Sequence, residues 1–165
     1  MISSLWPGAG GAAQQRAARA SAEARAASAV RPLASRLELE AELRACEAPG
    51  APPLLVILST SWCGPCKLLA EDLQEAAERR AAQRGGGGAG AVRIVKLDVE
   101  QREGGLAEVA SALKVQKLPT LFVCGGRGAG KPALRTTGLL KRKVIDDLID
   151  RSAFMGSDLG SAVLY

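Results

Sequence analysis

The sequence predicts a single α/β domain, a central mixed β-sheet flanked by helices, and three features carry that prediction. Residues 54 to 58 (Leu-Leu-Val-Ile-Leu) form an apolar run without alternation, as expected of a central strand buried on both faces. From Cys66 onward Leu68, Leu69, Leu73, Ala76 and Ala77 recur at helical spacing, and a second apolar strand pattern follows at 92 to 99, so the two strands are joined by a right-handed parallel crossover. Near the C-terminus two short strand patterns flank a Gly-rich connection, which predicts an antiparallel hairpin beside the parallel pair.

In chain order, residues 1 to 33 carry Arg16, Arg19, Arg25 and Arg31 against one acid, Glu23, with many alanines and no lysine. That profile fits an organelle transit peptide; the alternative is a disordered, weakly basic tail. It lacks the apolar h-region of a secretory signal, and no stretch of about 18 apolar residues occurs anywhere in the chain. Ser35-Arg36-Leu37-Glu38 has the form of a capping box, and Leu39, Leu43 and Cys46 continue at i, i+4 and i+7, giving a first helix over about 35 to 47. Cys46 lies on its apolar stripe and reads as a small core residue. Pro49, Gly50, Pro52 and Pro53 then end the helix before the central strand.

The long helix is expected to run to about 81 and to end at Arg84 and Gly85. Residues 85 to 90 satisfy G-x-G-x-x-G by count, but they follow a helix and precede a strand, the reverse of a dinucleotide-binding turn, and read as a flexible connector. Leu106, Val109, Ala110 and Leu113 mark a short helix, and Leu118-Pro119-Thr120-Leu121-Phe122-Val123 opens the next strand with a proline. Residues 125 to 131 match G-x-x-x-x-G-K, yet Pro132 stands where a phosphate-binding loop needs Ser or Thr and a strand pattern follows; we read a hairpin loop. Val144, Ile145, Leu148 and Ile149 form the stripe of a closing helix. The predicted organisation is therefore a leader over 1–33, one domain over 34–152 and a tail over 153–165.

Length and charge narrow the function. At 165 residues and 47% apolar the chain has room for one domain with a real core. The formal charge is +5, but the leader holds four Arg and one Glu, so the remainder has 18 basic and 16 acidic residues, and no nucleic-acid footprint is evident. The chain has no histidine, which removes zinc-hydrolase, Cys-His and Ser-His-Asp chemistry. Four cysteines do not make a disulfide framework in a chain of this size, so the thiols are expected to stay reducible.

The chemistry centres on Ser61-Trp62-Cys63-Gly64-Pro65-Cys66. Two thiols three residues apart, where a strand gives way to a helix, form a redox motif. A zinc half-site is the competing reading, and it lacks the second close pair of ligands, since Cys46 and Cys124 are single and distant in sequence. The helix N-terminus presents free N–H groups and a partial positive charge to Cys63, both favouring a thiolate. Gly64 and Pro65 suit a first turn that needs no donor, and Pro65 stiffens the link between the thiols. Cys124 reads either as a buried strand-end residue or as a regulatory thiol.

Together, Trp62-Cys63-Gly64-Pro65-Cys66, the strand before it, Lys96-Leu97-Asp98-Val99, Leu118-Pro119-Thr120 and Gly138 resemble the thioredoxin family over about 35 to 152. Within it, residues 118 to 122, 133 to 140 and 145 to 150 are most similar to the plastid CITRX type, also called thioredoxin z. The resemblance implies the thioredoxin fold, no cofactor beyond a redox-active Cys63-Cys66 disulfide, and a chloroplast location in stroma or nucleoid, with the mitochondrion as second choice. It implies protein disulfides as substrates, a thioredoxin reductase system as electron source, and fructokinase-like proteins and subunits of the plastid-encoded RNA polymerase as partners, without direct contact to nucleic acid or membrane. By the same resemblance Cys63 is the attacking thiolate and Cys66 the resolving thiol. Trp62, Gly64, Pro65, Leu118 and a cis Pro119 contact the substrate, and Lys96 lies under the site and tunes it.

One position departs from the pattern. Thioredoxins usually bury an aspartate six residues before the first Cys, and here that residue is Ile57. Without that base, resolution of the mixed disulfide is expected to be slower. This keeps a second function open, that of a mainly structural, non-catalytic subunit of the plastid transcription machinery.

Overall fold

The computed structural model describes residues 29–48, 51–83, 92–124 and 132–154. The elements are β1 (Val30–Leu33), α1 (Arg36–Cys46), β2 (Leu54–Ser59), α2 (Gly64–Gln83), β3 (Arg93–Asp98), α3 (Leu106–Ala112), β4 (Thr120–Cys124), β5 (Pro132–Thr137) and α4 (Arg142–Phe154). The five strands form one sheet in the order β1-β3-β2-β4-β5. β3 is parallel to both β1 and β2, whereas β4 is antiparallel to β2 and β5 to β4. The expected mixed sheet with flanking helices is borne out.

Every residue of β2 is buried, which is why its sequence does not alternate. Its odd residues, Leu55 and Ile57, face a core layer built with Leu69, Leu73 and Ala76 of α2 and Ile145, Leu148 and Ile149 of α4. Its even residues, Leu54, Val56 and Leu58, face a second layer with Leu39 and Cys46 of α1 and Leu106 of α3. The sheet is thus sandwiched, with α2 and α4 on one face and α1 and α3 on the other.

The capping signal at Ser35 is real but its geometry differs slightly from a full box. Ser35 Oγ accepts the Glu38 N–H at 3.3 Å, while the Glu38 carboxylate reaches back to the N–H of Ala34, not of Ser35 itself, at 2.9 Å. Glu42 of the same helix takes Arg93 of β3 at 2.9 Å and also pairs with Arg31 of β1, fastening α1 to the sheet. On the other face Arg79 of α2 bridges Glu75 at 3.2 Å and Asp146 of α4 at 2.8 Å.

The main difference from the sequence reading lies at the start. β1 occupies Val30–Leu33, inside the stretch assigned to the leader, and pairs in parallel with β3 from Val30 opposite Ile94 to Leu33 opposite Leu97. The sheet therefore begins four residues before the expected domain boundary at 34. The strand is short, contains Pro32 and lies at the edge of the sheet, where a missing N–H is tolerated and little apolar pattern is needed. At the other end α4 extends to Phe154, two residues past the expected boundary at 152. Residues 1–28 of the leader, the connector over 85–90, the hairpin loop over 125–131 and the last eleven residues of the tail lie outside the described residues. Among the described residues no helix is long and apolar enough to cross a membrane.

Candidate active site

The site grows out of the C-terminal end of β2. Past Ser59 the chain turns, with the Cys63 N–H donating to the Thr60 carbonyl at 3.3 Å, and enters α2 at Gly64. The Cys63 carbonyl accepts the Lys67 N–H at 3.3 Å, so Cys63 stands at the N-terminal edge of a 20-residue helix. The two sulfurs are joined as a disulfide across a Cα separation of 5.3 Å, and the Cys66 N–H points at Cys63 Sγ at 3.3 Å. That donor and the helix terminus act on the same atom and both favour negative charge on it. Cys63 is 6% exposed and Cys66 fully buried.

Around this buried pair the surface is open and apolar. Trp62 is 69% exposed, Gly64 and Pro65 are exposed, and a side chain added at Gly64 would meet nothing within 4 Å. Leu118 is half-buried and Pro119 buried, and the bond between them is cis. The register sets Thr120 of β4 opposite Leu58 of β2, which brings Pro119 to the end of the sheet that carries the thiols. The Pro119 carbonyl accepts the Gly138 N–H at 2.8 Å, and Gly138 has φ +85°, a conformation in which glycine is strongly favoured. Leu139, next in the chain, is exposed and adds apolar surface at this end; a Gly-Leu pair after a strand gave no sequence signal for that role.

Lys96 of β3 lies opposite Ile57 in the register and is half-buried, and no ion pair to it occurs among the described residues. Ile57 is fully buried in the layer under α2, so the place where the family usually carries an acid is filled by hydrocarbon. Three buried polar side chains cluster at this end of the sheet. Ser59 Oγ donates to the Leu97 carbonyl at 3.1 Å and Thr120 Oγ1 to the Lys117 carbonyl at 2.6 Å. The third, Thr60, is 3% exposed and its Oγ1 has no hydrogen-bond partner among the described residues. No local pattern at residues 59 to 61 marks this, since it depends on tertiary neighbours.

The remaining cysteines meet at the other end. Cys46 and Cys124, distant in sequence, share one core layer, and both are buried. Burial raises the Cys46 thiol above its ordinary range, against the Arg93 guanidinium, which pulls it down. Burial pushes Cys124 up to about 11, with the neighbouring Cys46 adding to the effect. Among the described residues no group of three His, Cys, Asp or Glu is placed to hold a metal ion.

Comparison with known proteins agrees with this geometry. The thioredoxin family profile matches residues 40–151. The chloroplastic thioredoxin-like protein CITRX of Arabidopsis thaliana is 34% identical over 98 residues, covering 59% of this chain and 46% of that protein. Its counterpart in Solanum lycopersicum is 33% identical over 101 residues, covering 59% and 49%. The chain therefore spans about half the length of the curated relatives it matches. The crystal structure of a chloroplastic thioredoxin z, described as defining a type-specific target recognition, superposes with a TM-score of 0.57 at 31% identity, covering 74% of this chain and 93% of that one. With its mixed five-stranded sheet, its joined Cys63–Cys66 pair and these relatives, the chain belongs to the thioredoxin family and within it to the CITRX type.

Proposed function

We propose that this protein is a plastid protein-disulfide reductase that works through Cys63 and Cys66. The observation that carries the reading is the donor geometry at Cys63: its sulfur takes the Cys66 N–H at the N-terminus of α2, whereas Cys66 has no exposure at all. The attacking sulfur is therefore the one with both charge support and access. In the reduced protein the Cys63 thiolate attacks a substrate disulfide, forming a mixed disulfide and expelling one substrate thiolate, which takes up a proton. Cys66, once deprotonated, attacks Cys63 Sγ, the mixed disulfide breaks, and the second substrate thiolate leaves. The substrate has gained two electrons and the chain holds the Cys63–Cys66 disulfide, which a thioredoxin reductase system returns to the dithiol.

Trp62, Gly64, Pro65, Leu118 and Pro119 form the surface that receives the substrate, with the backbone at Leu118 pairing to the extended segment beside its disulfide. Lys96 supports charge beneath the site. Among the described residues no carboxylate is buried, so with Ile57 behind the motif the proton of Cys66 has no such acceptor and resolution is slow. The chloroplastic CITRX relatives support a plastid location, in which fructokinase-like proteins and subunits of the plastid-encoded RNA polymerase are the partners we propose from the family resemblance alone.

A second reading follows from Ile57: the domain serves mainly as a structural subunit and its dithiol is dispensable. Reduction of insulin disulfides by the full chain with a dithiol donor separates the two. Turnover above that of the donor alone is expected, and its absence would sink the enzyme reading. In the organism, replacing Cys63 and Cys66 together with Ser tests the second: transcription that survives this change but not loss of the protein would make the chain a scaffold.

A further inference from the structure

The segment between α3 and Pro119 is gripped by β5 from the side. Gly138, just past the strand, gives its N–H to the Pro119 carbonyl at 2.8 Å. Three residues earlier Arg135 stands opposite Phe122 in the β4–β5 register, with its guanidinium carbon 5.4 Å from the centre of the Phe122 ring. The two terminal nitrogens of Arg135 donate to the carbonyls of Leu113 at 3.0 Å and Lys114 at 3.1 Å. Those carbonyls close α3. The Lys114 N–H goes to the Ser111 carbonyl and the Val115 N–H to the Ala110 carbonyl, both at 3.0 Å, the paired pattern in which the residue after the cap turns left-handed. Glycine usually fills that place; here it is Lys114, with φ +50°. A cation on the last carbonyls of the helix supports this ending where the local residue preference does not. Val115 to Lys117 then lead to Leu118, and the far end is fixed by the Thr120 hydroxyl on the Lys117 carbonyl at 2.6 Å. Val115 and Leu118 pack on the layer beneath α1 and α3, so the direction the chain takes at Lys114 is carried to the backbone at Leu118. Arg135 itself is exposed, and its removal leaves no cavity in the core.

We propose that Arg135 is a positioning residue for substrate binding: by pinning the carbonyls of Leu113 and Lys114 it fixes the course of the chain over 115–118 and so the alignment of the Leu118 backbone that receives an extended peptide. This rests on the reading of Leu118 as the pairing backbone of a disulfide reductase. It makes Arg135 matter for a disulfide carried on a peptide, which needs the aligned segment, and not for a small disulfide, which needs only the Cys63 thiolate.

The test compares the reduced full chain, freed of reductant, with Arg135→Met, which keeps an apolar stem over the Phe122 ring and removes the donors, and Arg135→Lys, which keeps the charge without the fork. One probe is a symmetrical nitrobenzoate disulfide, and the other is an extended cysteine peptide capped with the same nitrobenzoate thiol. In each case the Cys63 thiolate attacks, a mixed disulfide forms on Cys63 and the coloured nitrobenzoate thiolate leaves, so the rate is read before Cys66 acts. Arg135→Met should react about tenfold more slowly with the peptide and at the native rate with the small disulfide, with Arg135→Lys in between. Insulin reduction by Arg135→Met should show a raised KM at an unchanged kcat, and hydrogen exchange should quicken over residues 113–118 and not elsewhere. An unchanged peptide rate, or equal slowing with both probes, would overturn the proposal and leave Arg135 a cap for α3 alone. Should Arg135→Met fail to fold, Arg135→Gln removes the charge and the fork and is read in the same way. A native chain that reacts with the small disulfide but not with the peptide contradicts the reductase reading. Hydrogen exchange then decides the present one: quickening confined to 113–118 in Arg135→Met upholds it, and unchanged exchange there overturns it.

Discussion

Two pairs of cysteines sit at opposite ends of one sheet, and all four are nearly excluded from water. Cys63 and Cys66 straddle the entry to α2, with a backbone N–H aimed at Cys63 Sγ and an exposed tryptophan beside them. Cys46 is instead the last residue of α1, its thiol donating to the Leu43 carbonyl at 3.0 Å, and Cys124 closes β4 opposite Leu54 at the start of β2. Cys63 meets the donor end of α2, which favours its anion, whereas burial raises the Cys46 thiol and pushes Cys124 up to about 11, which keeps both neutral. Burial alone does not decide reactivity here. What sets Cys63 apart is the backbone N–H aimed at its sulfur at the start of α2, together with the open surface over Gly64.

That contrast can be broken most severely at Cys63. Cys63→Ser should bring insulin reduction down to the rate of the reductant alone, while Cys46→Ser and Cys124→Ala leave turnover intact; loss of turnover in either of the latter would erase the distinction. The next largest difference is in alkylation. At pH 8 only about one in a thousand Cys124 thiols is ionised if its pKa is about 11, so iodoacetamide should label Cys63 of the reduced chain long before Cys124. Because the thiolate is the reacting form, Cys124 labelling should rise about tenfold per pH unit as the pH climbs toward that value. Mass-spectrometric mapping reads both sites at once, and equal rates at pH 8 would contradict the assignment.

Ile57→Asp sharpens the account of the active end. It should speed release of substrate from the Cys63 mixed disulfide by on the order of 10²-fold, at a stability cost of about 2–5 kcal/mol for the lost hydrocarbon packing and a further cost for the buried carboxyl. A quenched single-turnover assay with a labelled disulfide peptide checks the rate; an unchanged rate would mean that another base already takes the Cys66 proton. The smallest effect is expected at Gly138, whose φ of +85° disfavours any side chain although nothing stands within 4 Å. Gly138→Ala should lower stability by about 1 kcal/mol by urea denaturation and leave the thiol chemistry in place.

Much of the architecture was legible because its signals were redundant. The unbroken apolar run of β2, the helical stripe from Leu69 to Ala76 and the motif between them each point to the same strand-to-helix junction. Pro119 and Lys96 are tied to the site through family resemblance alone; register sets Pro119 just before Thr120, which faces Leu58, and Lys96 opposite Ile57. β1 escaped because an edge strand of four residues with Arg31 and Pro32 in it owes its place to pairing with β3 and to Glu42, neither visible in its own pattern. The shared layer of Cys46 and Cys124 and the orphaned Thr60 hydroxyl escaped for the same kind of reason. They are properties of tertiary neighbours, and no local periodicity encodes them.

The most direct test of the division between the two ends follows a single round of electron transfer. The full chain is reduced, freed of reductant, mixed with a limiting amount of insulin, quenched in acid and mapped for disulfides. The account predicts one Cys63–Cys66 disulfide for each insulin disulfide reduced, with Cys46 and Cys124 recovered as free thiols. Insulin reduced at the expense of Cys46 or Cys124, or insulin left oxidised beside a fully reduced Cys63 and Cys66, would contradict it.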